Sequence, residues 1–390
     1  MEPPAPCASA GLPSGSTAAA PAARPSSRRV SIAVPLSYLF SGGCYRRVAK
    51  NFNAGERSVT NSPVVPEVDL WASGRQVGHL RVPQSRDDSG WGTIQVPIVV
   101  VANGTGPTVL LTAGNHGDEY EGQVSLLDLA RSLRPEELQG RVILLPAMHY
   151  PACAAGKRLS PLDGRDFNRC FPGDPFGGFA LSLAHFVDSV LLPICDYQMD
   201  LHSGGTGMDI VPSAVGHILD HPEMQARTLA MADAFGAPIT LLLKEVNAGP
   251  TLLAAAENRG IVALSSELGG GGRLNPAALT ITKRGVRNVL RHAGVLEGLP
   301  EVGEYGPSRR MTVPDLAHYV FAPADGIWEA AHPLNTTVQA GTPAGLLHRI
   351  EDPGAPPIEL AYKATGLLWC ARFAGRVKAG DPVAVIARDM

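Results

Sequence analysis

Thr112-Ala113-Gly114-Asn115-His116-Gly117-Asp118-Glu119-Tyr120-Glu121-Gly122 is the stretch on which the reading of this chain turns. An apolar run, Thr108 to Ala113, stops there, and a helix-like pattern continues from Tyr120 to Leu133. His116 and Glu119 thus sit three apart where a strand should hand over to a helix. Open α/β sheets place ligands outside the carboxyl ends of their strands. An imidazole and a carboxylate there can face one metal ion, and both are acceptable zinc ligands. The flanking glycines allow close approach of the backbone. Alone the motif is weak, since a second such pair, His348 and Glu351, lies in a Pro- and Gly-rich region and reads as surface. The bland reading of the first is a polar loop whose acids favour the positive end of a helix.

Two further strand ends shift the balance. Cys195 to Gly205 runs from a strand into a glycine-rich end at His202, a candidate third metal ligand. Asp200, two residues earlier, points to the same side of the strand and can orient a ligand imidazole. A lone histidine is more often a satisfied polar residue, less so when flanked by Asp200 and a Gly-Gly pair. Ile261 to Ser266 is another strand, ending at Glu267 before Leu268 and four glycines. A carboxylate there is a candidate general base; the bland alternative is a loop acid. Between these ends, residues 158–173 form a loop by composition, holding Arg158, Arg165, Asn168 and Arg169. Arginine binds carboxylates bidentately and asparagine can hold an oxyanion or amide. An isolated Asn-Arg pair would instead read as a solvated loop.

The remaining pattern places these ends on an α/β sheet. Continuous apolar runs at 96–101, 108–113, 141–146, 238–243 and 261–266 read as strands, and 120–133, 179–192 (closed by Pro193), 221–235, 250–259 and 276–292 as helices. The expected organisation is an α/β domain over 60–302, a linker near 303–314, and a small all-β barrel or sandwich over 315–390. Gly375 to Val385 has the spacing of a biotinyl/lipoyl-type half but presents no lysine on an evident hairpin tip, so it reads as structural. Residues 1–29, rich in Ala, Pro, Ser and Gly, are expected to be a disordered tail. Their Arg/Ser bias fits a transit peptide, but they lack amphipathic periodicity. Arg28-Arg29 faintly matches a twin-arginine signal, against which Pro35 argues.

A chain of 390 residues exceeds one usual domain. A net charge of −3 leaves no electrostatic footprint for nucleic acid or anionic membrane. No apolar stretch reaches the roughly 18 residues that span a bilayer. Cys7, Cys44, Cys153, Cys170, Cys195 and Cys370 are scattered without a C-x-x-C, so they read as reduced thiols of a cytoplasmic protein. A cysteine-cluster zinc site is therefore not expected.

Taken in order, His116/Glu119, Asn168-Arg169, Asp200-Leu201-His202 and Glu267 resemble the succinylglutamate desuccinylase/aspartoacylase family, relatives of the zinc carboxypeptidases. The resemblance covers roughly residues 60 to 390. It implies a zinc carboxypeptidase-like mixed sheet flanked by helices, and one Zn2+ per subunit on His116, Glu119 and His202. It also implies Glu267 as the catalytic carboxylate, and Asn168 and Arg169 on the carboxylate of an N-acyl amino acid substrate. An upstream arginine should polarise the scissile carbonyl; Arg158 is the choice, with Arg165 as alternative. Ser85 to Gly92, Gly114 to Gly122, His202 to Gly205 and Ser266 to Gly272 most resemble the branch that deacetylates N-alpha-acetyl-L-2,4-diaminobutyrate in ectoine degradation. A side-chain ammonium needs an acidic partner; Asp209 is the candidate, with Asp87 and Asp88 behind it, while His217 reads as structural. The alternatives are deacylation of another N-acyl amino acid, a metallocarboxypeptidase, or a zinc-stabilised binding module, against which Glu267 argues. Exposed sheet edges leave a homo-oligomer open.

Overall fold

Short apolar runs bounded by glycine and polar turns give this chain its strands, and amphipathic stretches between them give the helices. The structure is a computed structural model and describes residues 62–244 and 250–390. The tail expected over 1–29 lies outside the described residues. The first part runs β1 (Val65–Pro66), β2 (Gly74–Pro83), β3 (Thr93–Asn103), β4 (Thr108–Ala113), α1 (Tyr120–Ser132), β5 (Gly140–Leu145), α2 (Tyr150–Ala155) and α3 (Phe179–Phe186). It continues with β6 (Tyr197–His202), β7 (Met208–Ile210), β8 (Ser213–His217), α4 (Pro222–Phe235), β9 (Ile239–Leu243), α5 (Leu252–Glu257), β10 (Val262–Glu267) and α6 (Pro276–His292). The last part is β11 (Arg309–Thr312), β12 (Tyr319–Phe321), β13 (Gly326–Ala330), β14 (Thr337–Val338), β15 (Pro343–His348), β16 (Ile358–Ala361), β17 (Gly366–Arg372), β18 (Arg376–Val377) and β19 (Pro382–Asp389).

The large sheet is mixed, in the order β1-β2-β3-β5-β4-β6-β10-β8-β9-β11-β19-β17-β14. Its centre is parallel: β5, β4, β6 and β10 all run the same way. Every residue of β4 is buried, as a strand covered on both faces requires. On one face α3 and α5 cover a core that includes Leu110, Ile143 and Ala263. On the other, α1, α4 and α6 cover Leu111, Leu144, Met199 and Leu264. Alternate residues of each strand therefore feed two separate cores, and the sheet is the partition between them.

Two expectations need correction. The helix expected over 179–192 is α-helical only to Phe186; a π turn (Val187–Leu191) and a 3-10 turn (Leu192–Ile194) follow. Pro193 has no backbone N–H to continue an α-helical ladder, so the geometry changes ahead of it. The expected linker 303–314 contains β11, which pairs with β9 in parallel and β19 in antiparallel. Met311 is fully buried there, while Arg309 reaches Asp389 at 2.6 and 2.8 Å.

Beyond β11 the chain is β-strands apart from one 3-10 turn, Leu316–His318. A four-stranded antiparallel sheet, β16-β15-β13-β18, stands apart, while β17 and β19 belong to the large sheet. β17 also pairs with β7, Cys370 lying opposite Ile210.

Helix α1 lies almost directly on β4 and β6. A Cβ on Gly122 would stand 2.5 Å from the Leu201 Cβ and 3.0 Å from the Ala113 Cβ. Gly122→Ala must therefore push α1 off the sheet. We expect a loss of about 1–3 kcal/mol in chemical denaturation, the usual cost of overpacking a well-filled core; an unchanged midpoint would contradict this packing.

Candidate metal centre

Three carboxyl-terminal strand ends meet at one place. In the parallel centre Thr112 pairs with Asp200, and His202 pairs with Glu267. After Ala113 the chain leaves the sheet through Gly114, at φ 67°. A Cβ on Gly114 would lie 2.6 Å from the Cys153 sulfur, and one on Gly117 only 2.0 Å from the Ala152 backbone. Glycine alone lets the 114–119 loop lie against α2, and this lays His116 and Glu119 over the end of β6.

His116, Glu119 and His202 are all buried, and one donor atom from each lies within 4.8 Å of the others. His116 Nδ1 is 2.7 Å from Glu119 Oε1, His202 Nδ1 is 3.0 Å from Glu119 Oε2, and the two Nδ1 atoms are 3.3 Å apart. Each ring turns its other nitrogen to a carboxylate. His116 Nε2 is 3.1 Å from Asp166 Oδ1, and His202 Nε2 is 2.8 Å from Asp200 Oδ2. Asp200 is itself fixed by the Thr112 hydroxyl at 2.6 Å and the Asn115 amide at 2.8 Å. Protons on the two Nε2 atoms leave two Nδ1 lone pairs and a carboxylate aimed at one point. Two imidazoles and one carboxylate are a zinc-type donor set with positions to spare, so the residues fit the group expected from the sequence.

The electrostatics follow from burying these groups together. Burial alone would raise Glu119, but the adjoining His116 and His202 charges more than reverse it and hold the carboxyl well below its ordinary value. Burial alone would lower His202, yet Asp200 and Glu119 raise it well above 6.5. His116 is raised in the same way by Glu119 and Asp166, against burial. Glu267 behaves oppositely. Burial, then the Glu119 charge, pushes its carboxyl up to about 7, and its Oε2 has no hydrogen-bond partner among the described residues.

Arg158 reaches the same point. Its Nη1 is 3.3 Å from His116 Nδ1 and 3.7 Å from Glu119 Oε1, and its Nη2 donates to Asp166 Oδ2 at 2.9 Å. Arg165 is exposed, and its backbone N–H donates to Asp163. Asn168 and Arg169 form the short turn after Asp166. Asn168 Oδ1 accepts from Leu252 N at 3.1 Å, while exposed Arg169 donates to the Asn168 carbonyl at 2.9 Å. Asp209 stands on β7, 3.8 Å from Arg273. Exposed Asp88 pairs with Arg86 in the 84–92 hairpin, which also carries Asp87. His217 pairs with Glu257 at 2.6 Å. Ser213, at the other end of β8, is the residue that lies opposite Glu267. His348 pairs with Glu329 at a half-exposed surface position.

Asp166 was missed by sequence reasoning. It clamps His116 and Arg158 together and caps its own turn through Asn168 N at 3.0 Å. The available signal was an acid two residues ahead of an Asn-Arg pair, which in a turn-rich loop looks like ordinary loop polarity.

The pattern of succinylglutamate desuccinylase/aspartoacylase catalytic domains matches residues 105–293. The N-alpha-acetyl-L-2,4-diaminobutyric acid deacetylase of Halomonas elongata is 43% identical over 326 residues, 84% of this chain and 95% of that protein. A solved succinylglutamate desuccinylase/aspartoacylase from Rhodobacter sphaeroides is 50% identical, with TM-score 0.81 over 84% of this chain and 99% of the other. The product-bound ectoine utilization protein EutE (DoeB) of Ruegeria pomeroyi is 40% identical, with TM-score 0.81 and the same coverages.

Because His116 and His202 are raised, their protons and a metal ion compete for the same nitrogens. Apparent metal affinity should therefore rise as pH rises through their pKa values, and binding near pH 7 should release protons. Calorimetry in two buffers of different ionisation enthalpy measures that release. Asp166→Asn should weaken metal binding by about 10- to 100-fold, read by competition with a chromogenic chelator.

Proposed function

The chain belongs to the succinylglutamate desuccinylase/aspartoacylase family, and from that premise we propose that it is a zinc-dependent amidohydrolase acting on N-alpha-acetyl-L-2,4-diaminobutyrate. The products are acetate and 2,4-diaminobutyrate, a step of ectoine breakdown. The substrate assignment rests on the names of the Halomonas elongata deacetylase and the Ruegeria pomeroyi ectoine utilization protein. The chemistry rests on one observation: a buried Glu267 oxygen with no hydrogen-bond partner among the described residues, beside a His-Glu-His donor set.

One Zn2+ per subunit would be held by His116 Nδ1, Glu119 and His202 Nδ1. Bound zinc supplies Lewis acidity, which acidifies a water molecule and polarises a carbonyl. Glu267 takes the water's proton at Oε2 as the oxygen attacks the acetyl carbon, then delivers it to the leaving nitrogen as the C–N bond breaks. A base whose proton affinity sits near neutrality can do both. The Arg158 guanidinium, steered by Asp166, donates to the developing oxyanion; one such donor is typically worth about 2.7–4 kcal/mol. Arg169 and the Asn168 amide hold the substrate carboxylate, and Asp209 receives the side-chain ammonium. A cytoplasmic setting agrees with the free thiols Cys153, Cys170 and Cys370.

The 50% identical Rhodobacter sphaeroides structure, described as a succinylglutamate desuccinylase/aspartoacylase, favours a second reading in which another N-acyl amino acid is hydrolysed. Release of acyl product across a panel of N-acetyl, N-succinyl and N-acetyl-diamino acids separates the two. The proposed function expects the diaminobutyrate derivative to lead in kcat/KM and a chelator to abolish all activity.

Glu267→Gln should keep stoichiometric zinc while kcat falls by about 10²- to 10⁴-fold; full activity would remove Glu267 from the mechanism. Asp209→Ala should raise KM for the diamino substrate and leave acetylated neutral amino acids unaffected. Equal effects on both would show that Asp209 does not read the ammonium.

A further inference from the structure

The stretch Asp118-Glu119-Tyr120-Glu121 carries three acids, and the metal centre uses only Glu119. The other two are buried as deeply: Asp118 is 4% exposed and Glu121 0%. A carboxylate taken out of water needs partners of its own. Asp118 finds them, through one oxygen, on the loop that follows His202, and Glu121 on that loop and at Asn275. Asp118 Oδ2 accepts from Thr206 N at 2.8 Å and from the Thr206 hydroxyl at 3.0 Å. Glu121 Oε2 accepts from the Ser203 hydroxyl at 2.8 Å, and its Oε1 from Asn275 N at 2.8 Å.

The same loop returns to the metal centre. Ser203 N donates to Glu119 Oε2 at 3.1 Å, the oxygen that also faces His202 Nδ1. Ser203 thus touches Glu121 with its hydroxyl and Glu119 with its backbone. From there the loop is laced to the glycines that follow Glu267. Gly204 N donates to Gly269 O, Gly271 N to Met208 O, and Gly272 N to Gly205 O. A shift of Ser203 therefore moves the donor that aims the Glu119 carboxylate.

We propose that Glu121 is a positioning residue which, by holding the Ser203 hydroxyl, fixes the Ser203 N–H against Glu119 and so sets the metal-binding geometry of that carboxylate. The proposal rests on the reading of His116, Glu119 and His202 as a zinc site. It assigns Glu121 no contact with substrate and no proton transfer. Asp118 braces the far side of the same loop through Thr206.

The test is zinc affinity, measured on the full chain by competition with a chromogenic chelator, alongside melting of the metal-free protein. Ser203→Ala removes one hydroxyl, keeps the backbone N–H, and should fold. It should bind Zn2+ about 10-fold or more weakly, as losses of outer hydrogen bonds at metal sites do. Glu121→Ala should weaken binding similarly, and the double variant no further, because both break one connection. Glu121→Gln, which can still hydrogen-bond to the Ser203 hydroxyl, should recover most of the affinity. Wild-type zinc affinity in Ser203→Ala, or full additivity in the double variant, overturns the proposal. A wild-type chain that binds no Zn2+ at all instead sinks the zinc reading, and the proposal falls with it.

Discussion

Everything at this site depends on a carboxylate that water cannot reach. Glu119 is 3% exposed and stands between two imidazoles. A charge so placed is tolerable only when matched by opposite charge and fully hydrogen-bonded. The structure meets that demand with His116 and His202 and then backs each imidazole with a further carboxylate, Asp166 or Asp200. An array that holds protons on two imidazoles this firmly presents the same lone pairs to a divalent cation. Proton and metal compete for one position, so the electrostatics of the protein without metal already describe what the metal would find.

The sheet explains why these groups meet. Three parallel neighbours, β4, β6 and β10, end level with one another, and their ends contribute His116 and Glu119, then His202, then Glu267. The geometry also bears on the two readings of the first motif. Glu119 is the N-cap residue of α1, yet its side chain caps nothing in that helix. Its oxygens face His116, His202 and the Ser203 N–H instead. A helix-end acid placed only for the macrodipole would not be turned away from the helix.

What could be read in the sequence, and what could not, divides along the range of the interactions. Strand ends were legible because a buried parallel strand is a continuous apolar run, and the first polar residues after it mark its carboxyl end. That logic found His116, Glu119, His202, Glu267 and, by its period of two, Asp200. Asp166 escaped because its partners lie 50 and 8 positions away. No local pattern distinguishes an acid clamping a distant imidazole from an acid solvating a loop. Ser203 and Glu121 escaped for the same reason, being 82 residues apart. The strand β11 reads as linker in the sequence because four residues between Gly303 and Pro314 look like connection; its pairing with β9 and β19 is a tertiary fact.

The C-terminal strands bear on the chemistry as well as on the fold. β17 pairs with β7 and so lays Cys370 over the region next to the site. Burial drives the Cys370 thiol well above its ordinary value, with the Glu267 and Asp209 charges adding to it, so both acids lie within electrostatic reach of that sulfur. Next to it, Trp369 Nε1 donates to the hydroxyl of Ser213, the residue paired with Glu267 in the sheet. Burial is the largest cause of the raised proton affinity of Glu267. An exposed glutamate in the same place would be ionised at neutral pH but a poor proton donor to a leaving amine. A carboxyl poised near 7 can accept a proton and return it at comparable cost. Strand β17, far downstream in sequence, thus ties through Trp369 to the residue that pairs with Glu267 in the sheet.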